Sequence, residues 1–367
     1  MTRAGYWLPR SLHPLAWWMW ALGLAVAASR ATDPLVLACV IAVASWVVLA
    51  RRQDAPWARA FRIYLIAGAV VVFIRVFFRI LLGGDEPGPV LVPLPELVLT
   101  SGITLLGDIT AASLLAGLYD GMRLAAMLIC LGAANALANP RRLLRSMPPA
   151  LHEVSTAVVV ALSVFPQLAE SVVRVRRARQ LRLGSDRRGI AGLRMIVIPV
   201  LEDALDRSLL LAASMDSRGY GRRGDRSALA SLVVGGLLLA GLAGICVGAY
   251  ALLDSTTPRW LATPVLVGGL SVGVLGLVLS GRGVTRSRYR PDRWRAAELL
   301  TAVTGAAAAI ALSATHPELL HPSITPLGWP QLPAGALLGL GIALLPAFVT
   351  PPPQATAAEP QLEEALA

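Results

Sequence analysis

The chain has 367 residues, of which 56% are hydrophobic and only 15% are charged, and its mean hydropathy is +0.64. Soluble proteins carry about 25% charged residues, so this composition excludes an ordinary soluble protein and indicates an integral membrane protein. The net charge of +11 comes from arginine alone, because the sequence contains no lysine. The arginines lie in loops between apolar segments. This placement favours a membrane surface or an acidic protein as the partner, rather than nucleic acid.

Apolar segments of helical length divide the chain into about eight predicted transmembrane helices, which makes the predicted fold all-α. Residues 88–107 stand apart, because prolines there would break a regular helix, and we predict a re-entrant or interfacial segment. The predicted spans are Leu15–Ser29, Pro34–Ala50, Ile63–Leu82, Ile109–Leu137, Ala228–Leu253, Pro264–Ser280, Ala296–Ser313 and Pro333–Thr350.

The distribution of arginine predicts the orientation of these spans, since cytoplasmic loops of membrane proteins are rich in basic residues. With the N-terminus inside, the outer segments carry only Arg30 and Arg259, and the inner segments hold most of the other arginines. Both termini are therefore predicted to be cytoplasmic. The chain divides into N-terminal transmembrane helices (1–138), a cytoplasmic region (139–226), C-terminal transmembrane helices (227–350) and a disordered tail (351–367).

The arginine-rich region 140–226 carries the pattern of two amphipathic helices. Apolar positions recur every three or four residues from Phe165 to Leu181 and again from Leu193 to Met215, which indicates two helical stripes. We predict that the region is too polar to span a bilayer and lies along the membrane surface. The charged residues of the second helix are predicted to point largely away from its apolar face; they are Glu202, Asp203, Asp206 and Arg207.

Each of these helices is predicted to end close to an arginine, and the two arginines, Arg182 and Arg218, are 36 positions apart. One interpretation is that the basic faces bind anionic lipid head groups. The other is a docking platform, in which each guanidinium group pairs with carboxylates of a soluble partner. A small neighbouring residue would let the partner backbone approach closely. Two such helix ends would bind two similar subunits. The pattern alone does not decide between lipid binding and protein docking.

The ends of the two helices resemble the motifs of a known family. Residues 214–221 read Ser-Met-Asp-Ser-Arg-Gly-Tyr-Gly, similar to the Ala-Met-Glu-Ala-Arg-Gly-Phe/Tyr-Gly of the transmembrane T component of energy-coupling-factor (ECF) transporters, the cobalt-transport permease-like family. Residues 177–184 are similar to a first motif of the same type, with leucines beside the arginine in place of small residues. The resemblance implies that the ATPase-docking residues are Ala178, Leu181, Arg182, Leu183, Gly184, Ser217, Arg218, Gly219 and Tyr220.

The resemblance covers about residues 10–250, so the last three spans go beyond the usual core. It implies a non-catalytic subunit of the bacterial plasma membrane that holds two cytoplasmic ABC ATPases on its coupling helices and binds a substrate-capture (S) subunit in the membrane. ATP-driven closure of the ATPases would then release a vitamin or metal ion inward. The partner subunits would use the ATP, and no cofactor is expected to bind this chain directly. The sequence agrees, since without lysine it has no Walker-type phosphate-binding loop.

Two other classes of membrane protein stay open at this point, both with surface helices that bind anionic lipid. An enzyme would need paired acidic residues beside a span, and the nearest match, Glu202 to Asp206, has no second copy. A secondary transporter would need a matched pair of interrupted spans, and no convincing internal repeat is found. His316 and His321 flank Glu318 in an outer loop, but a metal site needs more ligands than these.

Overall fold

The computed structural model describes the chain as a largely helical protein. The described residues are 9–53, 60–82, 88–93, 95, 97–100, 103–105, 107–147, 151–183, 190–219, 228–254, 258–281, 292, 294–326 and 328–353.

Helices and four short strands follow one another along these residues. The first three helices are α1 (Pro14–Ser29), α2 (Pro34–Arg51) and α3 (Phe61–Leu81). The strands are β1 (Val90–Val92), β2 (Leu97–Thr100), β3 (Ile103–Leu105) and β4 (Ile109–Thr110). The next helices are α4 (Ala111–Leu137), α5 (Pro140–Arg145), α6 (His152–Leu183), α7 (Ile190–Ser217), α8 (Ala228–Leu253) and α9 (Arg259–Gly281). The last four are α10 (Ala296–Ala314), α11 (Pro317–Leu320), α12 (Ala334–Leu344) and α13 (Pro346–Val349).

The starts of several helices follow from local sequence. His13, Asp33 and Thr110 accept hydrogen bonds from backbone N–H groups in the first turns of α1, α2 and α4. Such N-cap side chains satisfy donors that a helix itself leaves unpaired. Proline occupies the first position of α1 and of α2, where its fixed φ suits a helix start. Asp33 also accepts a bond of 3.0 Å from the N–H of Gln331, which ties the start of α2 to the segment before α12.

In the described residues, seven helices are long and apolar enough to cross a membrane. Six correspond to predicted spans, whereas the first and last predicted spans form shorter apolar helices, α1 and the α12–α13 pair. The seventh, Val154–Ala178, lies in α6. The prediction that region 140–226 is too polar to span a bilayer is therefore wrong for this part of α6. The reason is that Glu170 is the only charged residue between Val154 and Ser171.

The segment at 88–107 contains no helix among its described residues, as its prolines predict. Instead, β1 pairs antiparallel with β4, and β2 pairs antiparallel with β3. Val90, Leu91 and Val92 are all about half exposed. The predicted break in helical structure is confirmed, but neither strand pairing was predicted. The β1–β4 pairing joins residues about 20 positions apart, such as Val90 and Thr110, whereas β2 and β3 form a local hairpin.

The chain forms two compact units, the first from Met1–Leu143 with Asp292–Ala367 and the second from Leu144–Pro291. In the first unit α1 packs against α4 and α10, and the Trp20 side chain is fully buried. The Trp20 indole N–H donates to the carbonyl oxygen of Ala343 at 3.0 Å. Gly23 passes so close to α10 that an added Cβ would lie 2.3 Å from the carbonyl oxygen of Gly305. The C-terminal helices are thus part of the core that the N-terminal helices build.

Two ion pairs lie beside the start of α1. Arg10 pairs bidentately with Glu298, at 2.6 Å and 3.2 Å, and the Glu298 side chain is only 2% exposed. Arg142 pairs with Asp292 at 2.8 Å and donates to the carbonyl oxygen of Ser11 at 3.2 Å. These contacts join the arm before α1 to the start of α5 and to the segment that leads into α10.

In the second unit α8 and α9 pack as a close antiparallel pair. A Cβ added to Gly241 would lie 2.5 Å from the Cα of Gly273, and one added to Gly248 would lie 2.6 Å from the Cα of Leu266. Glycine therefore lets the two backbones approach directly, as small residues do between membrane helices.

Candidate functional site

The helices α6 and α7 cross at a polar contact centred on Asp203 of α7. Its carboxylate accepts a hydrogen bond of 2.8 Å from the hydroxyl of Ser171, which is buried on α6. Arg207 pairs with the other carboxylate oxygen at 3.0 Å, and Arg174 lies 3.4 Å away. The hydrogen bond from Ser171, followed by that from Arg207, lowers the pKa of Asp203 below its ordinary value. The crossing is therefore held by a carboxylate that is ionised at neutral pH.

The contact of Asp203 with α6 contradicts one prediction made from the sequence. Asp203 and Arg207 were predicted to point largely away from the packed face, but both are only half exposed and Asp203 contacts α6. The prediction was wrong because apolar periodicity does not show which face a second helix covers. Glu202 and Asp206 are exposed, as predicted. Of the three carboxylates that could suggest an enzyme, Asp203 is thus already engaged by Ser171 and Arg207.

The direction of the crossing follows from its contacts. Asp203 contacts Ser171, whereas Arg207, one turn further along α7, donates to Gln167, one turn earlier in α6, at 3.3 Å. The helices therefore run in opposite directions, and the contacts centre on residue 169 of α6 and residue 205 of α7. Arg182 and Arg218 each lie 13 residues beyond that centre. The two motif arginines consequently lie on opposite sides of the crossing rather than together.

The second motif forms a defined helix end. The helix α7 ends at Ser217, Arg218 is exposed in the following turn, and Gly219 has a φ of 77°. The N–H of Gly219 donates to the carbonyl oxygen of Asp216 at 2.9 Å, as in a glycine-terminated helix of the Schellman type. Only glycine adopts this conformation without a steric cost. The prediction that this helix ends close to Arg218 is confirmed.

The first motif lies in the last turns of α6. The helix continues through Arg182 and ends at Leu183. Ala178 is exposed, and Leu181 is 89% exposed, so this leucine projects from the helix with little packing against the described residues. Gly184 and Tyr220, both among the predicted docking residues, lie outside the described residues. Assignment of these residues to ATPase docking stays a prediction.

Polar residues elsewhere have local structural roles. Within the described part of the chain, no group of three His, Cys, Asp or Glu side chains is close enough together to hold a metal ion. His13 caps α1 and its ring lies 5.3 Å from that of Trp294. His321 lies 2.9 Å from the hydroxyl of Thr32.

Membrane-length helices around a buried α1, together with a crossed pair of helices that carry the motif arginines, define a multi-pass membrane protein. Its family follows from the sequence profile of the cobalt transport protein family CbiQ, which matches residues 9–229, more than half of the chain. The chain belongs to this family, so the resemblance drawn from the motifs is confirmed. It is a membrane component related to cobalt transport, of a kind that works with partners. No individual curated protein matches it significantly.

The family match includes both crossed helices and ends at the second residue of α8. Nearly all of α8 and the helices α9 to α13 therefore lie outside the family segment. The last three predicted spans lie beyond it as expected, but the match ends at residue 229, short of the residue 250 to which the resemblance was predicted to extend.

Proposed function

We propose that the chain is the T component of an ECF-type importer, which links two ABC ATPases to a substrate-capture S subunit. The observation that carries this proposal is the equal distance of Arg182 and Arg218 from the crossing of α6 and α7. Thirteen helical residues correspond to roughly 20 Å. Two similar sites separated in this way, on opposite sides of one crossing, suit two copies of a similar partner better than one extended ligand.

The chemistry of each end supports protein docking. Arginine presents a planar fork of donors that pairs bidentately with carboxylates. Arg218 is exposed at the end of α7, and Gly219 beside it has no side chain to keep a partner backbone away. At the other end Leu181 projects into solvent next to Arg182, so this site adds an apolar contact. Each ATPase would offer a groove with acidic residues, deeper for Arg218 and more apolar at the rim for Arg182.

The apolar and basic parts of α6 also suit this arrangement. Val154–Ala178 is long and apolar enough for a membrane, and the C-terminal part of α6 carries five arginines between Arg174 and Arg182. By the positive-inside rule the basic end belongs on the cytoplasmic side, where ATPases are found. The Asp203 crossing would make the two helices move together when the ATPases close. The chain itself would hydrolyse nothing and bind no cofactor, since ATP is used by its partners.

Co-expression tests the proposal. The chain is purified with and without ABC ATPase subunits from the same genome, and subunit stoichiometry and ATP turnover are measured. We expect a complex with two ATPases for each copy of the chain, and turnover only in that complex. Detectable ATP turnover by the chain alone, or no ATPase recovered with the intact chain, would contradict the proposal. If binding to anionic vesicles is the only interaction, the arginines serve lipid contact instead.

A further inference from the structure

The helix α3 carries a charge on its open surface within a membrane-length segment. Only Phe61 and Gly68 of this helix are buried. Arg75 is exposed among apolar side chains that are also exposed, including Phe73 and Phe78. An arginine within such a span normally faces a protein or a water-filled cavity, because hydrocarbon offers its guanidinium group no partner.

The depth of Arg75 makes lipid a poor environment for it. The residue lies 14 positions after Phe61 and 6 before Leu81, or roughly 21 Å and 9 Å from the two helix ends, in a bilayer core about 30 Å thick. Side chains of a helix tilt toward its N-terminus. The Cα–Cβ bond of Arg75 therefore points toward the more distant membrane surface. This direction makes it harder for the guanidinium group to reach the nearer surface by snorkelling.

A carboxylate of opposite charge lies at the same level on the neighbouring helix. A Cβ added to Gly121 of α4 would lie 3.3 Å from the Cβ of Arg75, and Asp120, which precedes this glycine, is exposed. Among the described residues, neither the Arg75 nor the Asp120 side chain has a hydrogen bond or an ion pair. Arg123, one turn further along α4, donates instead to the carbonyl oxygen of Ser29 on α1.

The other side of α4 is already occupied. Ala126, Cys130 and Ala133 are buried against the core that α1 and α2 share. The face that carries Arg75 and Asp120 is therefore not the one that α4 buries against α1 and α2. Phe78 lies three positions after Arg75, on the same side of α3, whereas Phe73 lies two positions before it and points the other way.

We propose that this face, defined by Arg75, Phe78 and Asp120, docks a transmembrane helix of a separate membrane subunit. The partner helix presents a carboxylate to Arg75 and a cation or N–H donor to Asp120, with apolar side chains against Phe78. Charge complementarity selects this occupant, because lipid tails match neither charge and a purely apolar helix would leave both unpaired. The proposal rests on the proposed function in requiring a second membrane subunit, and it deepens that function by naming the face of the first compact unit that this subunit contacts.

Site-specific photocrosslinking in native membranes tests the proposal. The full chain carries benzoylphenylalanine in place of Phe78, and a matched control carries it in place of Phe73. We expect an adduct with one membrane protein from the Phe78 position and at least fivefold less from Phe73. Peptide mapping must place the crosslink in a transmembrane helix that contains Asp or Glu. Arg75→Gln should reduce the adduct at least fivefold, whereas Arg62→Gln, at the membrane edge of the same helix, should not.

A charge exchange completes the test. Arg75→Glu should abolish the adduct, and replacing the mapped carboxylate of the partner by arginine should restore it. Adducts only with lipid, only with a second copy of this chain, or equally from both probe positions would overturn the proposal. So would thermal destabilisation of the lone chain by Arg75→Gln that Asp120→Asn relieves, which would indicate an internal pair. Recovery of ATPases with each variant is measured in the same membranes, so failure of the proposed function is seen separately.

Discussion

The side chain of Arg142 pairs with that of Asp292 at 2.8 Å, at the two points where the chain leaves and re-enters its first compact unit. The two side chains are 24% and 47% exposed, so their mutual attraction is screened by solvent. The 148 residues between Leu143 and Asp292 form the second compact unit. The ion pair therefore holds together the two ends of that long segment.

A double-mutant cycle on this pair should give a coupling energy of about 1 kcal/mol or less, as for other partly exposed ion pairs. Arg142→Ala alone should cost more than Asp292→Ala alone, because Arg142 also donates to the carbonyl oxygen of Ser11. Thermal unfolding in detergent, followed by tryptophan fluorescence, measures both effects. Equal losses in the two single variants would show that the Ser11 contact contributes nothing.

Glu298→Gln should destabilise the chain by about 3 kcal/mol, the lower end for breaking a buried ion pair. The Glu298 carboxylate is 2% exposed and pairs with Arg10, whose side chain is 21% exposed. The Glu298 carboxylate also accepts a hydrogen bond of 3.1 Å from the backbone N–H of Arg295. Glutamine keeps an acceptor for this N–H, so the lost stability measures the effect of the charge and not of the helix cap. The unfolding midpoint is compared with that of Glu318→Gln, an exposed carboxylate in the same unit. Similar midpoints in the two variants would contradict the prediction.

Gly23→Ala should destabilise the packing of α1 on α10 by about 1–3 kcal/mol, as overpacked cores do. The new Cβ would lie 2.3 Å from the carbonyl oxygen of Gly305, and backbone cannot move aside as a flexible side chain can. Gly341→Ala is the matched control, because nothing lies within 4 Å of its added Cβ. Alanine there should be neutral or stabilising by up to ~1 kcal/mol, since it restricts the unfolded chain. The unfolding midpoint should therefore fall for Gly23→Ala and stay unchanged or rise for Gly341→Ala, and an equal fall in both variants would refute the contact.

Acid should loosen the crossing of α6 and α7. The pKa of Asp203 is lowered from its ordinary 3.8 by the hydrogen bond from Ser171 and by Arg207, so folding favours the ionised form. The stabilisation is fully present above pH 3.8 and is lost as the pH falls through the lowered value. The difference in unfolding midpoint between the native chain and Asp203→Asn should thus be constant from pH 7 to pH 5 and shrink below about pH 4. A difference that persists unchanged at pH 2 would assign the crossing to neutral hydrogen bonds.

Arg218 should contribute more than Arg182 to retention of the ATPases. Truncating one member of a buried charge pair costs about 2–5 kcal/mol, whereas a pair at an interface rim contributes nearer ~1 kcal/mol. Gly219 admits a close partner at Arg218, whereas Leu183 adds bulk beside Arg182. The number of ATPases recovered per chain should fall strongly for Arg218→Ala, less for Arg182→Ala and most for the double variant.

The control for the docking variants is Arg194→Ala, an exposed arginine of α7 outside both motifs, which should recover ATPases normally. Membrane insertion should be unchanged in all variants. A larger loss at Arg182 would mean that the neighbouring leucines belong to a tight site. Normal recovery in the double variant would leave lipid binding as the role of the arginines.

Much of the fold follows from local sequence, because an apolar segment bounded by polar residues fixes its own ends. The span Ala228–Leu253 is predicted residue for residue, and α7 ends at Ser217, close to Arg218 as predicted. Contacts between distant segments were not predictable in this way. Arg10 and Glu298 are 288 positions apart, and no local periodicity relates them.

Composition also misled where it was averaged over too long a segment. The apolar half of α6 was hidden by the arginines of its other half, so Val154–Ala178 was not recognised as long and apolar enough for a span. Asp203 was assigned to the wrong side because its partner Ser171 belongs to another helix. The one signal that could have indicated a polar contact here was Ser171, a small hydroxyl residue beside an otherwise apolar helical stripe.

The close approach of Gly23 to Gly305 also bears on how this protein can be taken apart. The family segment ends at residue 229, but that border in the sequence is not a border in space, because α10 packs directly on α1. A gene truncated there would leave Gly23 of α1 without the α10 backbone that packs against it. Any chimera that exchanges the first helices of this protein with those of a shorter relative must therefore carry residues 296–349 with them.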